Sequence, residues 1–401
     1  MITQFRIFIV PALLVAILGC AAKGNVGGAT WGDKTIPAEY RVLYEELSKK
    51  LGQLQAGINS VPGAPKARTR FGVELLVANS NRGEILLTER VFKATVLTLD
   101  RLQSLGVQCI ALSIQFPVLV PSQPRAGEYL NFYTRVIQQI RQRGLAVIVE
   151  MGTLFRQPEF SQLRVDYSQL TLEKFKVQLG QMAQIVATDL KPDYLTILTE
   201  PDTQSQNTGL DFSVSNFSDT VAYVVQGLGQ SEVQLGAGAG TWSPMTYFSA
   251  LAKIKQLDYI DLHIYPVQHD FVINRVARIA RTAAAHNKKI SIGEAWLYKV
   301  SKRELGRIKP ITAFARDVYS FWQPLDEMFV QILVELSRHT DAEFCSLFWM
   351  KYLYGYVDYN SRTRDLAPHE LINMSEKAAG RRILDNSLNQ TGKLFQDLIS
   401  D

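Results

Sequence analysis

The 401-residue sequence has only three cysteines and five histidines. Three cysteines cannot build the multi-bridge framework of a small disulfide-stapled domain. The histidines (263, 269, 286, 339 and 369) form no His-x-His pair, and only His263 falls near the C-terminal end of a strand-like run. Clustered ligands for a metal-dependent hydrolase are therefore not expected, and the sequence points to no metal and no other cofactor. No glycine-rich phosphate or dinucleotide fingerprint follows the first strand-like run, which argues against an open nucleotide-binding sheet. There is no repeat of solenoid period and no low-complexity block. Charge of one sign is scarce as well, with 43 basic against 38 acidic residues and a formal net charge of +5. The densest basic run, Lys299, Lys302, Arg303 and Arg307, reads as a solvated face, so nucleic acid is not an expected partner. No protein partner is implied either.

The N-terminus carries a targeting pattern. Arg6 precedes an apolar run from Ile7 to Leu18 that stops at Gly19-Cys20-Ala21-Ala22. Such a run is too short to span a bilayer and suits a signal-peptide core over residues 1–19. No second long apolar run follows, so nothing else is expected to span a membrane. Ile17-Leu18-Gly19-Cys20 resembles the lipobox of bacterial lipoproteins. The resemblance implies that Cys20 is lipidated as the first mature residue and that the chain sits in the cell envelope. Ala21 next to it fits export to an outer membrane or cell surface. Residues 20–36 are small and glycine-rich and read as a tether. Residues 37–57 then read as an amphipathic helix, with Tyr40, Leu43, Leu47, Leu51 and Leu54 at helical spacing.

From residue 71 to 399 strand-like and helical patterns alternate. Strands are predicted over 71–78, 107–116, 145–151, 194–199, 233–237, 259–265, 289–295 and 343–350. Helices are predicted over 88–105, 128–143, 172–189, 214–228, 245–255, 271–286 and 325–339, with one or two more in 371–399. Regular alternation argues for parallel strands. Eight units in about 330 residues fit an α/β fold of the (β/α)8 TIM barrel type. Cys109 and Cys345 fall inside strand-like runs and read as free, buried thiols.

Two of these strands deliver glutamates. Tyr194 to Leu198 leads to Thr199-Glu200-Pro201, and Lys289 to Ile292 leads to Gly293-Glu294-Ala295-Trp296. A carboxylate at the end of a buried strand costs too much to lack a partner or a task. Two of them, ending strands four and seven, would face each other across the barrel mouth, where such barrels place their sites. Strand six reads Asp261-Leu262-His263-Ile264-Tyr265, which puts Asp261, His263 and Tyr265 on one inward face. Tyr265 is placed to donate a hydrogen bond to Glu294 and keep it ionised. His263 is either a satisfied core histidine or a substrate contact. Trp242, Trp296, Trp322 and Trp349 all follow strand ends, as sugar-stacking rings in a carbohydrate cleft would. The stretch from Leu297 to Pro324 is long enough for a lid or binding loop.

Glu-Pro ending strand four, His-x-Tyr on strand six, a glutamate ending strand seven and Trp349 ending strand eight together resemble clan A of the glycoside hydrolases. The resemblance implies a retaining enzyme that cleaves β-glycosidic bonds in a poly- or oligosaccharide. Glu200 would be the acid/base, protonated near neutral pH, and Glu294 the ionised nucleophile. Thr199, His263, Trp242, Trp296 and Trp349 would line the sugar site. The sequence departs from the clan at Thr199, where asparagine usually binds the sugar 2-hydroxyl. No arginine matches the one often placed early in the barrel, and Glu150 and Gln115 stand near the ends of strands three and two instead. The alternative is a non-catalytic lipoprotein that keeps the barrel as a sugar-binding or scaffold module.

The lipid anchor has a direct test. Cys20→Ser is expected to shift the protein from the membrane fraction to the soluble fraction. A mutant that stays membrane-bound and is processed at the same site would remove the lipoprotein reading.

Overall fold

The computed structural model describes residues 36–58, 68–230, 232–265, 267 and 272–400. Cys20, the signal segment and all of the tether but Ile36 lie outside the described residues.

Among the described residues, eight parallel strands close into one barrel in chain order. They are β1 (Arg70–Glu74), β2 (Cys109–Ser113), β3 (Ala146–Glu150), β4 (Tyr194–Thr196), β5 (Gln234–Gly240), β6 (Tyr259–Ile264), β7 (Lys289–Ala295) and β8 (Phe344–Leu347). Most are shorter than the predicted runs. Strand pairing ends where the chain turns out to form the mouth, so apolar residues beyond that point, such as Val77 and Ile114, pack in the loops. The helices are α1 (Arg41–Ile58), α2 (Glu89–Leu105), α3 (Ala126–Gln142), α4 (Leu172–Ile185), α5 (Pro201–Thr208), α6 (Val214–Leu228), α7 (Met245–Ala252), α8 (Val272–Ala284), α9 (Pro310–Arg316), α10 (Gln323–His339), α11 (Pro368–Leu384) and α12 (Gln390–Ser400). Helix α2 illustrates the local logic. Thr88 caps its first turn by accepting from the Val91 N–H, and Gly106 ends it in the left-handed conformation.

Inside the barrel the side chains change character with height. The lower level is apolar and aromatic: Cys109, Ile148, Tyr194, Tyr259 and Phe344. Above it the inward positions become polar, with Glu74, Ser113, Glu150, Asp261, His263 and Ser291 all buried. Strand β5 contributes glycines on this face, and a Cβ at Gly236 would run into the Tyr259 ring. Cys109 and Cys345 are free and buried.

Helix α1 lies outside the ring, packed on α10. Its seam Leu43, Leu47, Leu51, Leu54 and Ile58 is buried, and each fully buried leucine contributes about 1.5–3 kcal/mol. Tyr44 on this helix stacks on Trp322 with ring centroids 5.8 Å apart. That contact explains why Trp322, expected on the rim, is fully buried. The basic run also departs from expectation, because Lys299 is buried in an ion pair with Asp326 rather than solvated.

Candidate active site

Strand β7 alternates Ile290 and Ile292 toward the helices with Ser291 and Gly293 toward the barrel axis. Regular alternation would send Glu294 outward. The register against β6 shifts instead: Asp261 pairs with Ser291, but His263 pairs with Glu294. This bulge of one residue turns the Glu294 carboxylate inward. Gly293 is needed at the bend, because a Cβ there would collide with carboxylate oxygens of Asp261 and Glu150. Glu200 arrives by a different device. It adopts φ 47° and ψ 70°, a left-handed conformation uncommon for glutamate, and α5 begins at once with Pro201.

The two carboxylates meet over one imidazole. Tyr265 donates to Glu294 Oε2 at 2.7 Å. His263 Nδ1 lies 2.8 Å from Glu200 Oε1 and 3.5 Å from Glu294 Oε2. Its Nε2 is 3.4 Å from Asp261 Oδ2. Thr203 donates to Glu200 Oε2 at 2.6 Å. One donor atom each from Glu200, His263 and Glu294 falls within a 4.8 Å span. Both glutamate side chains keep 16% exposure, so the pair is reachable from the mouth.

The protonation pattern differs from the one the clan resemblance implies. Burial raises the Glu200 carboxyl, but the hydrogen bond and charge of His263, with Thr203, outweigh it and hold Glu200 below the ordinary carboxylate range. Burial pushes Glu294 up to about 7, with the Glu200 charge adding to the rise while His263 and Tyr265 oppose it. Burial also disfavours the imidazolium of His263, yet the Glu294 charge and the contacts with Asp261 and Glu200 raise its pKa well above the usual value. The resting proton therefore lies on His263 beside an ionised Glu200. These protons belong to the coupled group rather than to one residue.

His263 and Trp296, both expected to line the sugar site, are buried instead. His263 is 1% exposed, with Nδ1 hydrogen-bonded to Glu200 and the ring within 3.5 Å of Asp261 and Glu294, so it sits as a buried partner of carboxylates. Trp296 is likewise 1% exposed and stacks on Tyr352 inside the wall. Trp242 and Trp349 are half-buried at the mouth. Trp242 donates its indole N–H to Asp202 at 2.8 Å, and Trp349 packs edge-on to Phe348 and Phe314. Thr199 is buried at the end of the β4 segment, and its carbonyl accepts from Gln204. Of the two early residues, Glu150 is buried in the barrel and Gln115 has a buried, unpartnered Oε1.

Glu74 was not singled out in the sequence. It ends β1, accepts from Asn79 and Ser113 at 2.7 Å each, and is raised to about 8 by burial and then by the Glu294 charge. The predicted first strand ran on to Ala78 and hid it mid-strand. Asp202 and Thr203 were missed because α5 was not anticipated.

A (β/α)8 barrel with a carboxylate pair at its C-terminal mouth is the class that fold and site define. No protein-family profile and no curated protein sequence matches the chain. Solved structures do match in fold. GH5_18 from Bifidobacterium longum has a TM-score of 0.53 at 11% identity, covering 83% of this chain and 79% of that one. A variant of that protein solved with Manβ1-4GlcNAc gives 0.52 at 12%, covering 83% and 78%. Fpglu1 from Fervidobacterium pennivoraus gives 0.50 at 8%, covering 84% and 96%.

Beneath the pair, Glu150, Asp261 and His263 also place donor atoms within 4.8 Å of one another, close enough to hold a cation. Glu150 Oε1, Asp261 Oδ2 and His263 Nε2 are buried there without hydrogen-bond partners. Burial and then the Asp261 charge push the Glu150 carboxyl well above the usual range. A proton retained on Glu150 supplies the missing donor. The neutral isostere Glu150→Gln is therefore expected to change the melting temperature at pH 7 by less than about 2 °C. A larger fall in differential scanning calorimetry, reversed by an added divalent cation, would put an ion there instead.

Proposed function

We propose that the chain is a glycoside hydrolase that cleaves β-glycosidic bonds in a poly- or oligosaccharide with retention of configuration. The observation that carries this is that one carboxylate oxygen of Glu200 and one of Glu294 lie within 4.8 Å of each other, with Thr203 and His263 hydrogen-bonded to Glu200 and Tyr265 to Glu294. Retaining pairs stand about 5–5.5 Å apart, whereas inverting pairs leave roughly 6.5–9.5 Å for a water. The lipid anchor on Cys20 belongs to the same proposal and would hold the enzyme at the envelope.

In the first step Glu294 attacks the anomeric carbon as the bond to the leaving oxygen breaks. The proton for that oxygen comes through Glu200, which takes it from His263 Nδ1 across their hydrogen bond. In the second step Glu200 accepts a proton from water, the hydroxide attacks the anomeric carbon, and Glu294 leaves as carboxylate. Tyr265 orients Glu294 throughout. Trp349 and Trp242 offer half-exposed rings to the sugar.

A second reading is favoured by the low pKa of Glu200 and by Thr199. On that reading the barrel binds sugar without cleaving it. Azide separates the two. In Glu294→Ala, azide is expected to take the nucleophile's place and give a glycosyl azide of inverted configuration. In Glu200→Ala, azide is expected to restore turnover of an activated aryl glycoside and give a product of retained configuration. A wild type inactive on every aryl β-glycoside and polysaccharide tried, with sugar binding intact, favours the second reading.

The pH profile gives a separate check. Glu294 must be ionised to attack, and its ionised form is lost as pH falls through about 7. The acidic limb of kcat/KM is expected near pH 7, falling about tenfold per unit below it. Tyr265→Phe removes a hydrogen bond that favours the ionised form, so the limb is expected to move up by about one unit. A limb that does not move takes Tyr265 out of contact with the titrating group.

A further inference from the structure

The mouth is built unequally. The connections after β1, β3, β7 and β8 are long, and α9 lies within the one after β7. After β4 the helix α5 starts at Pro201, and only residues 241–244 separate β5 from α7. The long connections are joined to one another. Gln162 N–H donates to the Asn81 carbonyl at 2.8 Å and Phe155 N–H to Asn81 Oδ1 at 3.1 Å, which ties the β3 loop to the β1 loop. Leu154 N–H donates to the Phe116 carbonyl, which ties in the β2 loop. Aromatic rings then continue the line. Phe155 meets Phe160 at 5.7 Å, Phe160 meets Phe314 of α9 at 5.6 Å, and Phe314 meets Trp349 at 5.4 Å. Strands β3 and β7 stand opposite each other in the ring. The wall therefore encloses the half of the mouth from β7 through β8, β1 and β2 to β3.

Among the described residues, the β4 and β5 connections are low. Asp202 is exposed there and Trp242 is half-buried. Glu200, the group that protonates the departing oxygen, stands on this side at β4. Glu294, which bonds to the anomeric carbon, stands at β7 beside Trp349 and the wall. The leaving portion must lie where its oxygen meets Glu200, and the sugar being transferred must lie on the walled side.

We infer that the site acts on chain ends: the walled half holds a short glycone of one or two β-linked sugars at the non-reducing end, while the open β4–β5 side accepts a leaving group of any length. A continuous polysaccharide would need a groove open at both ends, and the Phe160–Phe314 contact blocks one of them. This inference rests on the hydrolase reading above.

The test uses the full-length protein in detergent with p-nitrophenyl β-mannoside and β-glucoside, and with mannohexaose and cellohexaose labelled at the reducing end. A second set of hexaoses carries a bulky cap on the non-reducing sugar. Stepwise loss of one or two sugars from the unlabelled end, with capped chains resistant, is the expected result. Internal cleavage or ready cleavage of capped chains overturns this inference and leaves the hydrolase reading standing. Silence on every probe, aryl glycosides included, overturns both. In the doubly substituted Phe160→Ala, Phe314→Ala protein, the rate on capped relative to uncapped chains should rise about tenfold or more. An unchanged ratio in a variant that keeps its melting temperature would show that the wall does not set chain-end action.

Discussion

The constraint on which the rest depends is that a single imidazole answers for several carboxyls in the barrel. Glu200, Asp261 and Glu294 all contact His263, and Glu74 and Glu150 lie buried beside them. Among the described residues, His263 is the only basic side chain in ion-pair contact with these acids. Burying several carboxylates without cations is expensive, so protons are retained in the site. The carboxyls of Glu74, Glu150 and Glu294 are raised first by burial and then by neighbouring carboxylate charge, with one imidazole to offset them. An arginine early in the barrel would relieve the crowding. Among the described residues no arginine is ion-paired with these acids, so the burden falls on His263, and Glu200, hydrogen-bonded to the ring, is held ionised.

Two backbone features hold the charges at that spacing. The bulge at Gly293–Glu294 aims one carboxylate, and the left-handed backbone of Glu200 aims the other. Neither is what a regular strand would supply, and departures of this kind gather where function needs a side chain turned from its default direction. The left-handed Glu200 backbone costs about 1–3 kcal/mol, while Gly293 has no side chain to displace and Pro201 starts α5 without needing a donor.

The barrel was legible because its signal is long and repeated: eight strand-like runs alternate with helices, and the periodicity of each is clear. The places of Glu200 and Glu294 were legible for the same reason, since both end strands. Alternation on β6 also placed Asp261, His263 and Tyr265 inward together. The bulge could not be read, since it leaves no mark in the pattern except a glycine. The tryptophans misled for a related reason. A strand end fixes height in the barrel but not which way a ring turns, and Trp296 and Trp322 turn into the packing under α1 and beside Tyr352. The pKa order was hidden because it depends on distances across the barrel between residues far apart in the chain.

The long connection after β7 reads as a lid by length alone, but its anchoring argues for a fixed wall. Lys299 is buried against Asp326 at the start of α10, with Asp317 at 3.8 Å. Tyr356 donates to the other oxygen of Asp326 at 3.0 Å, and Arg316 makes a bidentate pair with Glu304. Opening the loop would strip Lys299 from its partners, and leaving one member of a buried pair uncompensated costs about 3–5 kcal/mol. Trp322 and Trp296 add large buried faces that an opened loop would expose. A segment held at so many points does not swing on each turnover. Under the proposed hydrolase function, substrate would enter and product leave on the low side of the mouth, between α5 and the β5 connection, where Asp202 and Trp242 meet solvent.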